Sequence, residues 1–280
     1  MLETPPHSVN PEGSPDGAAE AAPRPGDGYV QSFARGLAVL RSFGAHAPTQ
    51  TLTEAAERTG LTRAGARRIL LTLQQLGYVE TSEGDGRRFR LTAKVLELGF
   101  AYLSSLPLWH LAQPSMEELV REIGESCSAA VLEGADIVYV LRVPAGKIMA
   151  INLGAGSRLP AHCTSMGRVL LAGLDEAALQ QRLGQLTMRA MTPRTITDRP
   201  ALLAELERVR QQGYALVDSE LEEGLLSIAA PIVNRSGRVV AAINISGQSG
   251  RTPVAQMTTQ YLPRLLATAQ RINALMRTQD

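Results

Sequence analysis

Between Tyr29 and Phe43 the apolar residues Phe33, Leu37, Leu40 and Phe43 recur at helical spacing, and Gly44 with Pro48 beyond it marks an end. Thr51 followed three residues later by Glu54, ahead of Leu52, Ala55 and Ala56, has the form of a capping box. Gly60 supplies the stop, so a second, short helix is predicted. Thr62 caps a third, with a predicted buried stripe of Ala66, Ile69, Leu70, Leu73 and Leu76 that closes at Gly77. A strand then opens at Tyr78 and Val79, turn formers Glu83 to Gly86 make a tip, and Arg87 to Leu91 return. Three helices, two of them around a short Gly-containing turn, and then a ribbon predict a winged helix-turn-helix built around Thr51 to Lys94.

Beyond this module an amphipathic helix is predicted from Val95 to Leu106, broken at Pro107, and another from Pro114 to Ile123, a connection too regular for a floppy linker. Strands are expected at Cys127–Leu132, Ile137–Val143, Met149–Leu153, Ala215–Asp218, Ser227–Val233 and Val239–Ser246. Turn residues at Glu133–Asp136 and Asn234–Gly237 predict hairpins, hence an antiparallel-rich sheet. Helices are expected near Ser165–Leu171, Asp175–Leu183, Arg199–Gln212 and Pro253–Met276. The class is therefore α+β. Residues 1–27, rich in Pro, Gly, Ala and acids, predict a disordered leader. The expected organisation is that leader, a DNA-binding domain over 28–94, a linker helix over 95–113 and a second domain over 114–280.

Charge sharpens the picture. The whole chain carries only +1, but residues 28–94 hold ten basic and five acidic residues, a local +5 that favours a polyanion partner. Cys127 and Cys163 have no paired spacing and no nearby co-ligands, so neither a disulfide framework nor a zinc site is indicated. No signal segment and no apolar run of membrane-spanning length is visible, which makes the cytoplasm the expected compartment. No phosphate-binding glycine loop is present, and no cofactor is expected.

Thr62, Arg63, Ala64, Arg67 and Arg68 lie on the N-terminal part of the third helix, the part that reaches base edges in helix-turn-helix proteins. Arg63 or Arg67 can fork onto a guanine, while Arg87, Arg88, Arg90 and Lys94 on or beside the wing can add phosphate contacts. The bland alternative is a solvated charged face. A second constellation runs from Arg158 to Arg168, where a turn opens into a helix near Ser165, and the unpaired N–H groups there suit a carboxylate. Thr164 and Ser165 add hydroxyls, although the residues alone favour an ordinary N-cap with a structural His162. Cys163 at such a helix start could also serve as a nucleophile, yet no paired base is evident, so no catalytic residue is assigned. Asp218, Glu220, Glu222 and Glu223 form an acidic cluster for which solvent exposure is the default. Asn244 and Ser246 alternate on one strand face, facing either a ligand or a loop.

In this order the segments resemble the IclR family of bacterial regulators, from about Tyr29 to the C-terminus. The likeness rests on Gly60-Leu-Thr-Arg-Ala-Gly-Ala-Arg-Arg-Ile-Leu70, Gly77-Tyr-Val79, Leu159-Pro-Ala-His-Cys-Thr-Ser-Met-Gly-Arg-Val-Leu-Leu171 and Glu220-Leu-Glu-Glu-Gly-Leu225 leading into Ile228-Ala-Ala-Pro231. The subgroup it looks most like controls protocatechuate, p-hydroxybenzoate and β-ketoadipate catabolism. The resemblance implies a winged helix-turn-helix that dimerises beside operator DNA, a linker helix and a GAF-like effector-binding domain, in dimers or dimers of dimers. It implies an effector pocket for a small aromatic or dicarboxylic acid, lined by Ala161, His162, Cys163, Thr164, Ser165, Asp218, Asn244 and Ser246. Relatives often carry Ser at the position of Asn244. The subgroup usually has Ala where Gly65 stands, and a glycine in a helix interior costs about 0.5–1 kcal/mol relative to Ala. The alternative to a regulator is a small-molecule-binding module or enzyme whose N-terminal domain only dimerises.

Overall fold

The computed structural model describes residues 28–44, 46–82, 87–104, 107–145 and 153–277. The expected leader, the wing tip Glu83–Gly86 and nearly all of the strand expected at Met149–Leu153 lie outside them. The chain divides into two compact units, Met1–Leu96 and Glu97–Asp280.

The first unit follows the order α1 (Gln31–Arg41), β1 (Thr49–Thr51), α2 (Leu52–Thr59), α3 (Arg63–Gln75), β2 (Val79–Thr81) and β3 (Arg88–Leu91). The capping box forms: Glu54 N–H donates to Thr51 Oγ1 at 3.2 Å, and Thr51 N–H donates to the Glu54 carboxylate at 2.7 Å. Gly60 ends α2 at φ +65°, a left-handed conformation that costs glycine nothing. Strand β3 pairs antiparallel with β2 and with β1, a strand the sequence reading omits because three residues are too few to show alternation. Val39, Phe43, Ala55, Leu70, Leu73 and Val79 form the core.

Two predicted stripes shift. Phe33 and Leu37, which share the helical spacing, are 68% and 42% exposed, and Val39 is buried instead. Leu76 at the end of α3 is 53% exposed. Gly65 is the third residue of α3 and not mid-helix, and its N–H donates to the capping Thr62 Oγ1 at 3.1 Å. A Cβ added there would stand 3.2 Å from that same oxygen.

Helix α4 (Leu96–Ser104) begins at the last residue of the first unit and precedes α5 (Pro107–Ile123), which begins a full two turns before the predicted Pro114 and carries that proline inside. Burial explains the continuity, since Leu108, Trp109, Ala112, Met116 and Leu119 all enter one core. A six-stranded sheet follows the order β6-β5-β4-β9-β8-β7, with β4 (Ser126–Glu133), β5 (Asp136–Val143), β6 (Arg158–Pro160), β7 (Ala215–Asp218), β8 (Leu225–Val233) and β9 (Val239–Gln248). Every pairing is antiparallel. Both predicted hairpins are present, with Gly134 at φ +61° and Gly237 at φ +77° supplying the turns.

Alternation along the strands sends side chains to two layers. Leu226, Ile228, Ala230, Ile243 and Ile245 pack with α5 and α10 (Leu262–Arg277), which a short helix α9 (Val254–Gln256) and a π-helical turn precede. Ile137, Tyr139, Ala215, Ala229 and Ala242 face the opposite way, onto α6 (Ser165–Ala172) and α8 (Arg199–Gln212), with α7 (Glu176–Gln185) beside them. Cys127 packs in the first of these layers. Asn244, Ser246 and Ser227 share the α6 face.

Candidate functional site

On α3, Arg63, Ala64, Arg67 and Arg68 are exposed and Thr62 is the N-cap, while Ala66 and Leu70 between them are buried. The basic face expected from spacing is therefore presented outward. On the ribbon the expectation divides. Arg87 is exposed. Arg88 is instead held inside the unit: its Nε donates to Thr49 Oγ1 at 3.0 Å, and its Nη2 to Thr49 O and Glu54 Oε2, both at 3.1 Å. Arg88 thus stitches β3 to β1 and to the cap of α2, with its side chain 36% exposed. Arg90 pairs with Glu80 at 2.7 Å. Lys94 Nζ donates to Leu76 O at 3.1 Å, satisfying a carbonyl at the end of α3, and stands 5.3 Å from the Tyr78 ring centre.

In the second unit a small cavity of about 20 Å³ is lined by Tyr139, Cys163, Thr164, Ser165, Met166, Val217, Leu221, Leu225, Ser227, Asn244 and Ser246. Its floor is the sheet and one wall is the start of α6. Thr164 Oγ1 accepts the Gly167 N–H at 3.3 Å, so the Ser165 and Met166 N–H groups stand ahead of the first intrahelical bond. Ser227 Oγ donates to Ser165 Oγ at 2.9 Å, and Asn244 Nδ2 donates to Ser246 Oγ at 2.9 Å. The site is a line of neutral polar groups beside apolar Val217, Leu221 and Leu225. Such a site orients a carboxylate on donors and packs the remainder of a ligand against carbon.

Five of the eight predicted effector contacts meet here: Cys163, Thr164, Ser165, Asn244 and Ser246. Three do not. Ala161 is buried under α6, where a Cβ on Gly167 would lie 2.1 Å from its carbonyl oxygen. His162 turns to Arg189, whose carbonyl accepts from Nε2 at 3.1 Å, so the proton sits on Nε2 while Nδ1 has no partner. Burial depresses the His162 pKa. Asp218 pairs with Arg194 at 2.7 Å and with Ser219 Oγ at 2.8 Å. Burial pushes the Cys163 thiol up to about 11, opposite to the shift an activated nucleophile requires.

The sequence reading missed Arg168 and Glu220 as a pair. Arg168 is 2% exposed; its Nε donates to His162 O at 3.1 Å, and its guanidinium pairs with Glu220 at 2.5 Å and Glu205 at 3.5 Å. Glu220 also accepts the Ile196 N–H at 3.1 Å. The pair joins the two segments that wall the cavity, α6 and the turn carrying Leu221. A basic residue inside an otherwise apolar helix, Val169 to Ala172 following it, was the one available signal.

Comparison with known proteins places these units. Residues 100–274 match the bacterial transcriptional regulator IclR C-terminal domain and residues 32–83 the IclR helix-turn-helix domain. The chain belongs to the IclR family of bacterial transcriptional regulators. Among its relatives, the Pca regulon regulatory protein of Pseudomonas putida is 43% identical over 243 residues, 86% of this chain and 82% of that protein. A protein of known crystal structure from Rhodococcus sp. RHA1 is 49% identical, with a TM-score of 0.80 over 89% of this chain and 99% of its own. An IclR homologue from Microbacterium hydrocarbonoxydans, crystallised with 4-hydroxybenzoate, is 25% identical with a TM-score of 0.77, covering 89% of this chain and 100% of that one. No helix among the described residues is long and apolar enough to cross a membrane.

Proposed function

We propose that this chain is an operator-binding regulator in the cytoplasm whose DNA affinity is set by a small aromatic carboxylic acid, and that it controls aromatic-acid catabolism. The observation that carries the reading is the neutral polar line Thr164, Ser165, Ser227, Asn244 and Ser246 set beside apolar walls at the start of α6. The 4-hydroxybenzoate complex of the Microbacterium homologue supports the chemical class. On the DNA side, Arg63 or Arg67 reads base edges with Thr62, Ala64 and Arg68 beside them, and Arg87 meets a phosphate. Residues 28–94 form the DNA reader and residues 114–280 the effector domain, joined through 95–113.

Homo-oligomerisation belongs to the same proposal. Tyr29, Val30, Phe33 and Leu37 on or beside α1 are exposed, and so are Leu96, Leu98, Phe100 and Tyr102 on α4. Apolar side chains grouped in this way are surfaces a second copy covers. A dimer presents two recognition helices to half-sites about 34–36 Å apart.

The test is a thermal-shift screen of the full chain with protocatechuate, p-hydroxybenzoate, β-ketoadipate, pyruvate and glyoxylate. An aromatic acid is expected to raise the midpoint, by an amount equivalent to about 2.7 kcal/mol at a hundredfold excess over Kd. A midpoint unmoved by all five defeats the effector reading.

A further inference from the structure

Among the described residues three buried side-chain atoms lack a hydrogen-bond partner: Trp109 Nε1, His162 Nδ1 and Asn244 Oδ1. Only Asn244 belongs to the cavity at the start of α6. It is 3% exposed on β9, between Ser128 of β4 and Ala229 of β8 in the register of the sheet. Its Nδ2 donates to Ser246 Oγ at 2.9 Å, which leaves the carbonyl oxygen as the unpartnered acceptor.

A carboxylate cannot answer that acceptor. Its oxygens only accept, so they suit the Ser165 hydroxyl and the Ser165 and Met166 N–H groups at the start of α6, and they are repelled by another carbonyl oxygen; the Thr164 hydroxyl is already donated to Pro160 O at 3.0 Å. A ligand made only of a carboxylate and hydrocarbon leaves Oδ1 buried and unmade, a loss of tenfold or more in affinity. The missing partner is a hydrogen-bond donor. The cavity lining contains no acidic side chain, so a cationic ammonium would lack a counter-charge there, whereas a neutral hydroxyl needs none.

We infer that Asn244 is the specificity-determining residue of the effector site, and that it selects ligands bearing a hydroxyl in addition to the carboxylate. This rests on the aromatic-acid reading above and adds a requirement to it.

Calorimetric titration of the full chain with matched pairs, 3- and 4-hydroxybenzoate against 3- and 4-fluorobenzoate, isolates the hydroxyl at nearly constant size. The wild-type chain is expected to prefer one hydroxy acid over its fluoro partner by at least tenfold. In Asn244→Leu that preference falls below threefold while the fluorobenzoate affinity holds or rises. Asn244→Ala reports the same ratio should the leucine not be accommodated. Equal affinities for the two members of each pair in the wild-type chain overturn the inference and leave the aromatic-acid reading intact. A preference that survives in the variants also overturns it. Binding of none of the four compounds removes the aromatic-acid reading and this inference together.

Discussion

Arg87 and Arg88 are neighbours of identical chemistry with different surroundings. Arg88 has three hydrogen bonds within its own unit, one of them to the Glu54 carboxylate that also closes the cap of α2. Arg87 is exposed, with no ion pair among the described residues. Arg87→Ala is therefore expected to lower the slope of log affinity against log salt by about 1 in an operator titration, with all sequences weakened alike. Arg88→Ala is expected to leave the slope unchanged and to lower the unfolding midpoint. Spacing along the ribbon made both arginines candidates, because a sequence shows charge but not the acid folded against it. His162 carries a second prediction. Its pKa is depressed in the fold, so below the unfolded value near 6.5 the unfolded chain binds more protons than the folded one. Stability from this residue is complete above that value. It declines as the pH falls toward the folded pKa, and flattens beyond it. Thermal melts between pH 7.5 and 5 are expected to show this loss, and His162→Gln to reduce it.

At the scale of elements, the legible features were those fixed by local chemistry. Caps at Thr51 and Thr62, turns at Gly134 and Gly237, and the alternation of β8 and β9 all lie where the residues place them. Features set by packing were not legible. Pro114 looks like a boundary, yet α5 runs through it because its N-terminal turns bury Leu108 and Trp109. Helix α6 shows the same override in another form: Arg168, charged, lies wholly inside because Glu220 and Glu205 meet it there. A buried pair of this kind is costly to break from one side, by about 3–5 kcal/mol. Gly167 lets α6 approach the Ala161 backbone, and a Cβ would stand 2.1 Å from that carbonyl oxygen. Gly167→Ala is expected to cost about 3 kcal/mol in denaturant melts, and to reduce effector affinity by displacing Ser165. Gly65 is different. A Cβ at that position would reach only the Thr62 hydroxyl, at 3.2 Å, so its place in the first turn of α3 removes most of the rigidity concern that a mid-helix glycine raises.

Across the whole molecule, the two-unit organisation and the antiparallel sheet were visible in the sequence, and the assignment of faces was not. Phe33 and Leu37 satisfied helical spacing but lie outside, because periodicity finds an apolar stripe without saying whether the rest of the chain covers it. Of the candidate effector residues, those on the strand and at the start of α6 converge. His162 and Asp218 diverge toward Arg189 and Arg194, partners far along the chain that no local pattern announces. The cavity itself has a consequence for timing. At about 20 Å³ it has room for one water, whereas an apolar cavity that admits benzene measures about 150 Å³. Entry of an aromatic acid must therefore move the walls that Arg168 and Glu220 hold together. The association rate then contains a step independent of ligand concentration, so it rises to a plateau set by how often the walls part.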